Sequence, residues 1–306
     1  MEGKIRFAPS PTGYLHEGHL LSALYVWAAA RKWGLQIHLR IEDHDQGRAR
    51  PEYIDSIYED LEWFGFRWDS QSIQSARTAL YEAALEGLLK RGLVYPCYCS
   101  RKQLEAENPK SETGEIVYRG KCFLRHTEAL HSKARTSMDT LVASRLRCDE
   151  QPHNLRIVIP DKVIHWHDMR LGDFNENPKL QCGDFPIRDR EGQWTYQFAV
   201  CVDDIEEGIT HIVRGEDIRS STARQIALMR LLGRETPPLY LHHPLIVDPA
   251  GKKLSKRERA HSLRQDRDAG ITASELLGRV CHKAGFLPNS TPLNLENAIS
   301  IVEQSL

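Results

Sequence analysis

The sequence predicts an α/β protein. Its core is a Rossmann-type parallel sheet, interrupted by an inserted, cysteine-bearing subdomain and followed by a short helical C-terminal part. Three observations predict this. Strand-like, loop, helical and strand-like segments succeed one another between Lys4 and Asp43. A basic stretch with three cysteines and weak periodicity breaks the pattern from Tyr95 to about Arg147. After a basic loop at Lys252–Arg257, only helical periodicity remains.

Each element has a local reason. Ile5 and Phe7 alternate with Lys4 and Arg6, a strand-like run, and the loop from Pro9-Ser10-Pro11-Thr12-Gly13 to Gly18 follows. Leu20, Leu21, Leu24, Trp27 and Ala28 recur at helical spacing, with Gly34 placed to end the helix. Ile37, Leu39 and Ile41 then alternate as a second strand running into Glu42 and Asp43. In such βαβ units ligands bind beyond the carboxyl ends of the strands, so the first loop and Glu42 can share one pocket. Residues 52–68 and 77–91 read as amphipathic helices. Strands are expected at 155–159, 193–202, 211–213 and 240–247, with a helix over 221–232 and two more over 273–284 and 295–304. The resulting division is 1–94 for the first half of the core, 95–150 for the insert, 151–257 for the second half and 258–306 for the helical part.

Composition narrows the function classes. The 306 residues carry 41 Lys and Arg against 42 Asp and Glu, with 27% charged and 41% hydrophobic, a globular balance that excludes a disordered or fibrous chain. The near-apolar stretch Leu20–Ala30 is too short to span a bilayer, and the N-terminal residues hold no apolar signal core. A cytoplasmic protein with no membrane partner is therefore expected. Seven cysteines with one close pair fit metal ligation better than a disulfide framework. Charge is uneven: Arg119–Arg147 and Lys252–Arg267 each hold seven bases and two acids, whereas Glu42–Glu62 holds eight acids and two bases. Two basic blocks in a neutral chain suit phosphate binding.

The chemistry-bearing residues cluster in two motifs. His16-Glu17-Gly18-His19 stands where the first loop becomes a helix, so backbone N–H groups and the helix dipole face any anion bound there. Gly18 leaves room for a flat base against the backbone, and His16 and His19 can donate to phosphate oxygens. Lys252-Lys253-Leu254-Ser255-Lys256-Arg257 can neutralise a leaving pyrophosphate. Arg6 and Arg214 are the candidates for holding carboxylates. Cys97 and Cys99 lie two apart, so an extended chain turns both sulfurs to one side, and Cys122 can add a third thiolate. For a fourth zinc ligand the residues alone leave His126, His131 and Cys148 open.

Read together, RFAPSPTGYLHEGH and KLSKR resemble the two signature motifs of class I aminoacyl-tRNA synthetases. RFAPSPTG, LRIEDHD, YQFAVCVDD and GITHIVRGEDI resemble the glutamyl-tRNA synthetase catalytic core. These segments run in order from Arg6 to Arg257. The 49 residues after the lysine motif are too few for an anticodon-binding region, and with the CYC…YRGKC insert the chain resembles the glutamyl-Q tRNA(Asp) synthetase family.

That resemblance implies an activity and a site. The family activates L-glutamate with ATP, without needing tRNA, and transfers it to queuosine in the anticodon of tRNA(Asp). Arg6, Phe7, Ala8, Pro9 and Ser10 would form the amino-acid loop, Glu42 would face the α-ammonium, and Tyr196 and Arg214 would line the other side. His16, Gly18, His19, Lys253, Ser255 and Lys256 would hold ATP with Mg²⁺, and His16, His19 and Lys256 would carry the catalysis. One structural Zn²⁺ would sit on Cys97, Cys99 and Cys122, with Tyr118 as the fourth ligand. A monomer is expected. Two features depart from the common motifs: Glu17, at a usually apolar position, is expected to face solvent, and Arg257 ends the lysine motif. A truncated synthetase charging a tRNA 3′ end, or a non-catalytic RNA-binding paralogue, fits fewer of these features.

Overall fold

The computed structural model describes residues 3–124, 152–246 and 261–306. Lys253, Ser255 and Lys256, like His126, His131 and Cys148, lie outside the described residues. The first strand, β1 (Lys4–Phe7), leads through the Pro9–Leu15 loop into helix α1 (Glu17–Trp33) and strand β2 (Gln36–Ile41). Helix α2 (Pro51–Phe64), strand β3 (Ser70–Ile73), helix α3 (Thr78–Lys90) and strand β4 (Val94–Cys97) follow, then helix α4 (Arg101–Glu107). Strands β5 (Asn154–Ile157), β6 (Ile164–Asp168) and β7 (Gly172–Glu176) precede a single helical turn, α5 (Pro178–Gln181), and β8 (Pro186–Arg188). Helix α6 (Tyr196–Glu206), β9 (His211–Gly215), α7 (Thr222–Leu231), β10 (Leu239–His243), α8 (Leu263–Asp268), α9 (Ala273–Lys283) and α10 (Leu295–Gln304) complete the described chain.

A seven-stranded sheet in the order β3-β2-β1-β9-β10-β6-β7 forms the core; it is parallel except for the β6–β7 hairpin. The order reverses between β1 and β9, the point at which α/β sheets open a ligand crevice beyond the strand ends. The two faces of this sheet differ chemically. Ile5, Phe7, Ile37, Leu39 and Ile41 join α1, α9 and α10 in one apolar core, with Leu24 fully buried. Truncating Leu24 to Ala would cost ~2–5 kcal/mol, the range for buried leucines. Arg6 pairs with His38 and Arg214 with His242, and strand alternation puts Arg40 and Glu42 on the same face as His38. That polar face lies under α6, which supplies Asp203 and Asp204.

The sequence expectations for α1, α2, α3, α7, α9 and α10 match the elements found, within a few residues. Gly34 caps α1 in the left-handed conformation, at φ 62°. The expected strand at 193–202 is instead the start of α6. Its run Phe198–Val202 is buried throughout, and a short, wholly apolar segment does not distinguish a strand from a buried helix. A second, antiparallel sheet, β4-β5-β8, carries Cys97 at the end of β4. Among the described residues no helix is long and apolar enough to cross a membrane.

Candidate active site

The sheet's polar face assembles a buried charge network at the switch point. Arg40 is fully buried; its guanidinium lies 2.9 Å from Asp204, 2.8 Å from Glu207 and 3.3 Å from Glu42. Burial opposes its charge, but Asp204, Glu42, Glu207 and Asp203 outweigh that and hold it protonated. Arg6 donates from Nε to Asp204 Oδ1 at 3.1 Å, and its terminal nitrogens make no hydrogen bond among the described residues. Glu42 is held by Arg40 at 3.3 and 3.4 Å through Oε1 alone. Burial raises its pKa while Arg40, His44 and Arg6 pull it down. A carboxylate with one oxygen engaged suits an ammonium.

Arg214 enters from the other side. Its Nε donates to His242 Nε2 at 3.0 Å, and its two terminal nitrogens donate to Gln225 at 2.7 Å and Thr222 at 2.8 Å. Each terminal nitrogen keeps a second N–H, the paired geometry that a carboxylate accepts. Tyr196 lies among these groups. Burial raises its hydroxyl pKa, and it feels the charges of Arg214, Glu42, Arg6 and Asp204. Arg6, Glu42, Tyr196 and Arg214, four sequence candidates separated by up to 208 positions, are therefore drawn together. The backbone of Pro9 joins them, accepting from Glu42 N–H at 3.0 Å, with Ala8 and Ser10 beside it in the loop. Phe7 points the opposite way: its ring packs on Trp27 at 5.7 Å, so only its backbone can face the crevice.

At the head of α1, His16 is the N-cap. Its Nδ1 accepts from Gly18 N–H at 3.1 Å, while His19 Nδ1 accepts from His16 N–H at 3.2 Å. With both Nδ1 atoms accepting, each neutral ring carries its proton on Nε2 and presents a donor there. A Cβ at Gly18 would lie 2.9 Å from the His16 ring, so the glycine keeps that imidazole in its capping position. Glu17 does not face solvent as expected. It is 8% exposed, with one oxygen 2.6 Å from Arg279 Nε and the other 2.6 Å from Lys283 Nζ, because α9 packs its cationic end against the start of α1.

The cysteine cluster is a separate site. The sulfurs of Cys97, Cys99 and Cys122 lie within 4.8 Å of one another, all three residues buried. The Tyr118 oxygen is 3.6 Å from Cys97 Sγ and 3.8 Å from Cys99 Sγ, and it accepts from Cys122 N–H at 2.9 Å. A tetrahedral ion with Zn–S of ~2.3 Å and Zn–O of ~2.0 Å requires S···O spacings of roughly 3.5 Å. This donor set therefore fits one zinc ion. Burial and its bond to Cys122 push the Cys99 thiol up to about 11, a cost that a cation would remove. The Arg156 guanidinium stands 4.2 Å over the Tyr118 ring, but burial and the bonds to Cys122 and Cys97 raise the Tyr118 pKa, so the phenol keeps its proton unless a bound cation displaces it. Gly183 makes the arrangement possible: at φ 65° its hydrogen faces Tyr118, where a Cβ would come within 2.0 Å of the Tyr118 carbonyl oxygen.

Residues that sequence reasoning missed are those supporting the site. Arg40, His242, Asp168, Gln225 and Glu207 hold the binding groups in place; Arg40 lies inside the LRIEDHD segment, whereas the other four lie outside every quoted motif. Arg40 carried one signal, a cation on the polar side of the alternating strand QIHLRI, two residues before Glu42.

Comparison with known proteins gives the family. The family model "tRNA synthetases class I (E and Q), catalytic domain" matches residues 3–294. The chain is 36% identical to the glutamyl-Q tRNA(Asp) synthetase of Nitratidesulfovibrio vulgaris, over 97% of this chain and 91% of that protein. With the same-named protein of Neisseria gonorrhoeae the identity is 42%, over 84% and 81%. The crystal structure of glutamate-tRNA synthetase from Elizabethkingia anophelis superposes with a TM-score of 0.75 at 26% identity, covering 99% of this chain and 66% of that one. The chain belongs to the class I tRNA synthetases for glutamate and glutamine, and within them to the glutamyl-Q tRNA(Asp) synthetases, ligases of the aminoacyl-tRNA synthetase type.

Proposed function

We propose that this chain activates L-glutamate with ATP and transfers it to the queuosine of tRNA(Asp). The observation that carries the reading is the convergence of Arg6, Arg214, Glu42 and Tyr196 at the switch point, beside the loop leading to His16. Two cations and one acid match the two carboxylates and one ammonium of glutamate. A neutral amino acid would leave one buried guanidinium unpaired, at a cost of about 1–3 kcal/mol. In this reading Glu42 faces the ammonium and the arginines the carboxylates. The Nε2–H groups of His16 and His19 follow charge onto the phosphates of ATP, which binds with Mg²⁺. Gly18, Lys253, Ser255 and Lys256 complete the ATP site.

In the first step an α-carboxylate oxygen of glutamate attacks the α-phosphorus of ATP. The bond to the bridging oxygen breaks, and pyrophosphate leaves with the charge. In the second, a cyclopentene hydroxyl of queuosine attacks the carbonyl carbon of the anhydride. AMP departs, and the hydroxyl proton passes to its phosphate or to water. No side chain is covalently modified, so orientation and phosphate neutralisation carry the rate. Zinc would be held by Cys97, Cys99, Cys122 and Tyr118, well apart from the reacting atoms. It would anchor an insert, residues 95–150, set between core halves 1–94 and 151–257 and followed by the helical part 258–306.

The test is ATP-dependent transfer of labelled glutamate to matched tRNA(Asp), with and without queuosine. Label on the modified tRNA alone supports the proposal. Equal labelling of unmodified tRNA, or labelling of tRNA(Glu), replaces it with charging of a 3′ end.

A further inference from the structure

Glu17 departs from the usual apolar residue of the first motif, and its buried partners give it a role. It is the first residue of α1, directly after the His16 cap, where a negative charge is favourable to the helix dipole. The same charge would repel a polyphosphate at that helix end unless compensated. Arg279 and Lys283 supply the compensation, each 2.6 Å from one carboxylate oxygen. Arg279 also pairs through its terminal nitrogen with Asp266 of α8, a carboxylate 8% exposed.

These contacts join two stretches of backbone already in register. His16 forms a β-bridge with Ser262, and Leu263 N–H donates to Leu15 C=O at 2.8 Å. Between the two stretches lies a cavity of about 410 Å³. One wall is Thr12, Tyr14 and His16; the other includes Ser262, Arg264 and Asp268. Glu17 follows the first wall immediately in the chain, and Asp266 follows Gln265 of the second on the same helix, α8; neither acid itself lines the cavity. One guanidinium ion-pairs with both acids, by charge contact with Glu17 and by a hydrogen bond to Asp266, and so ties the two walls together.

We propose that Arg279 is a positioning residue for the triphosphate end of ATP, acting through Glu17 and Asp266 on the two walls beside His16. This rests on the reading that the head of α1 holds ATP. Arg279 touches neither ATP nor glutamate; it offsets the negative charge of Glu17 and holds the place of α8. Its loss therefore acts on ligands that carry β- and γ-phosphates and spares those that lack them.

The experiment is calorimetric titration of the full chain with Mg·ATP and with AMP. Arg279→Met should weaken ATP about tenfold, within the range of coupling between contacting residues, while AMP changes less than about twofold. Arg279→Lys keeps the charge but cannot reach both acids as a fork, and should fall between. Arg31→Met is the comparator: Arg31 ties α1 to Glu303 and Glu296 of α10, away from His16, so its loss should lower Tm without altering the ATP-to-AMP ratio. An unchanged ratio in folded Arg279→Met overturns the inference, as does an equal loss of ATP and AMP. Should Arg279→Met not fold, Asp266→Asn removes one arm, and an unchanged ratio there is equally fatal. If the wild-type chain does not prefer ATP to AMP, this inference and the ATP site fall together. If it does, and Arg279→Met loses the preference while no glutamate-dependent pyrophosphate exchange occurs, only the proposed activity falls.

Discussion

Arg214 donates its Nε proton to Nε2 of His242 across 3.0 Å, which requires His242 to be neutral with its proton on Nδ1. Asp168 enforces that tautomer from 2.6 Å on the far side of the ring. Burial lowers the His242 pKa, and the positive charge of Arg214 adds to this, against the pull of Asp168. A chain of three side chains from β6, β10 and β9 thus aims one guanidinium into the crevice.

Replacing His242 by Phe removes the acceptor and leaves a buried Arg214 N–H unpaired. We expect the glutamate KM to rise about tenfold, the equivalent of ~1.4 kcal/mol for a lost buried partner, with the ATP KM unchanged. Steady-state pyrophosphate exchange at varied glutamate and ATP measures both. A glutamate KM within twofold of wild type would show that Arg214 holds its place without the ring.

Glu207 and acid stability are linked with a definite sign. Burial would raise its pKa, but His38, Arg40 and Ser72 lower it to about 2. A carboxylate depressed on folding contributes stability that is fully present above its unfolded value of about 4.5, and lost as pH falls through about 2. The shift corresponds to ~3 kcal/mol as an order of magnitude. Glu207→Gln should therefore be less stable than wild type at pH 7, with the two urea curves converging toward pH 2. A gap that persists at pH 2 would point to lost packing instead.

Asp60 has the opposite sign. It is fully buried on α2, neither oxygen accepts a hydrogen bond, and Arg267 stands 3.6 Å away. Burial pushes its pKa up to about 6. The folded state holds its proton more tightly than the unfolded one, so stability declines as pH rises from about 3.8 through about 6. Asp60→Asn should raise Tm at pH 7.5, and the gain should vanish near pH 4. A variant less stable than wild type at pH 7.5 would assign the carboxylate to its pair with Arg267.

The cysteine cluster makes a stoichiometric prediction. Purified protein should carry one zinc per chain by elemental analysis, and Cys97→Ser or Cys122→Ser should lose it. Tyr118→Phe should retain metal with affinity reduced about tenfold or more, because three thiolates remain. Gly183→Ala, which drives a Cβ to 2.0 Å from the Tyr118 carbonyl oxygen, should release zinc to a chelator faster than wild type. Full zinc occupancy in Cys122→Ser would remove that residue from the ligand set.

Local sequence determined α1, α2, α3, α7, α9 and α10 and the strands β1, β2, β5, β9 and β10, because amphipathic spacing and Gly34 act over a few residues. It also determined the chemistry available at each motif: a capped helix start at His16, paired thiols at Cys97 and Cys99, and arginines at strand ends. It could not separate helix from strand at 196–206, where every side chain from Phe198 to Asp204 is buried and periodicity carries no signal. The tertiary structure alone decided which charges meet. Arg40 lies 164 residues from Asp204, and Glu17 lies 262 from Arg279; nothing local orders such pairs. Sheet order, register and the seating of α6 and α9 bring them together. Isolated, a buried Arg40 or an inward Glu17 would be costly, since a charge removed from water is tolerated only beside its partners. The motif residues were legible because their chemistry is local; the residues that hold them in place were not, because their reason for being there lies across the fold.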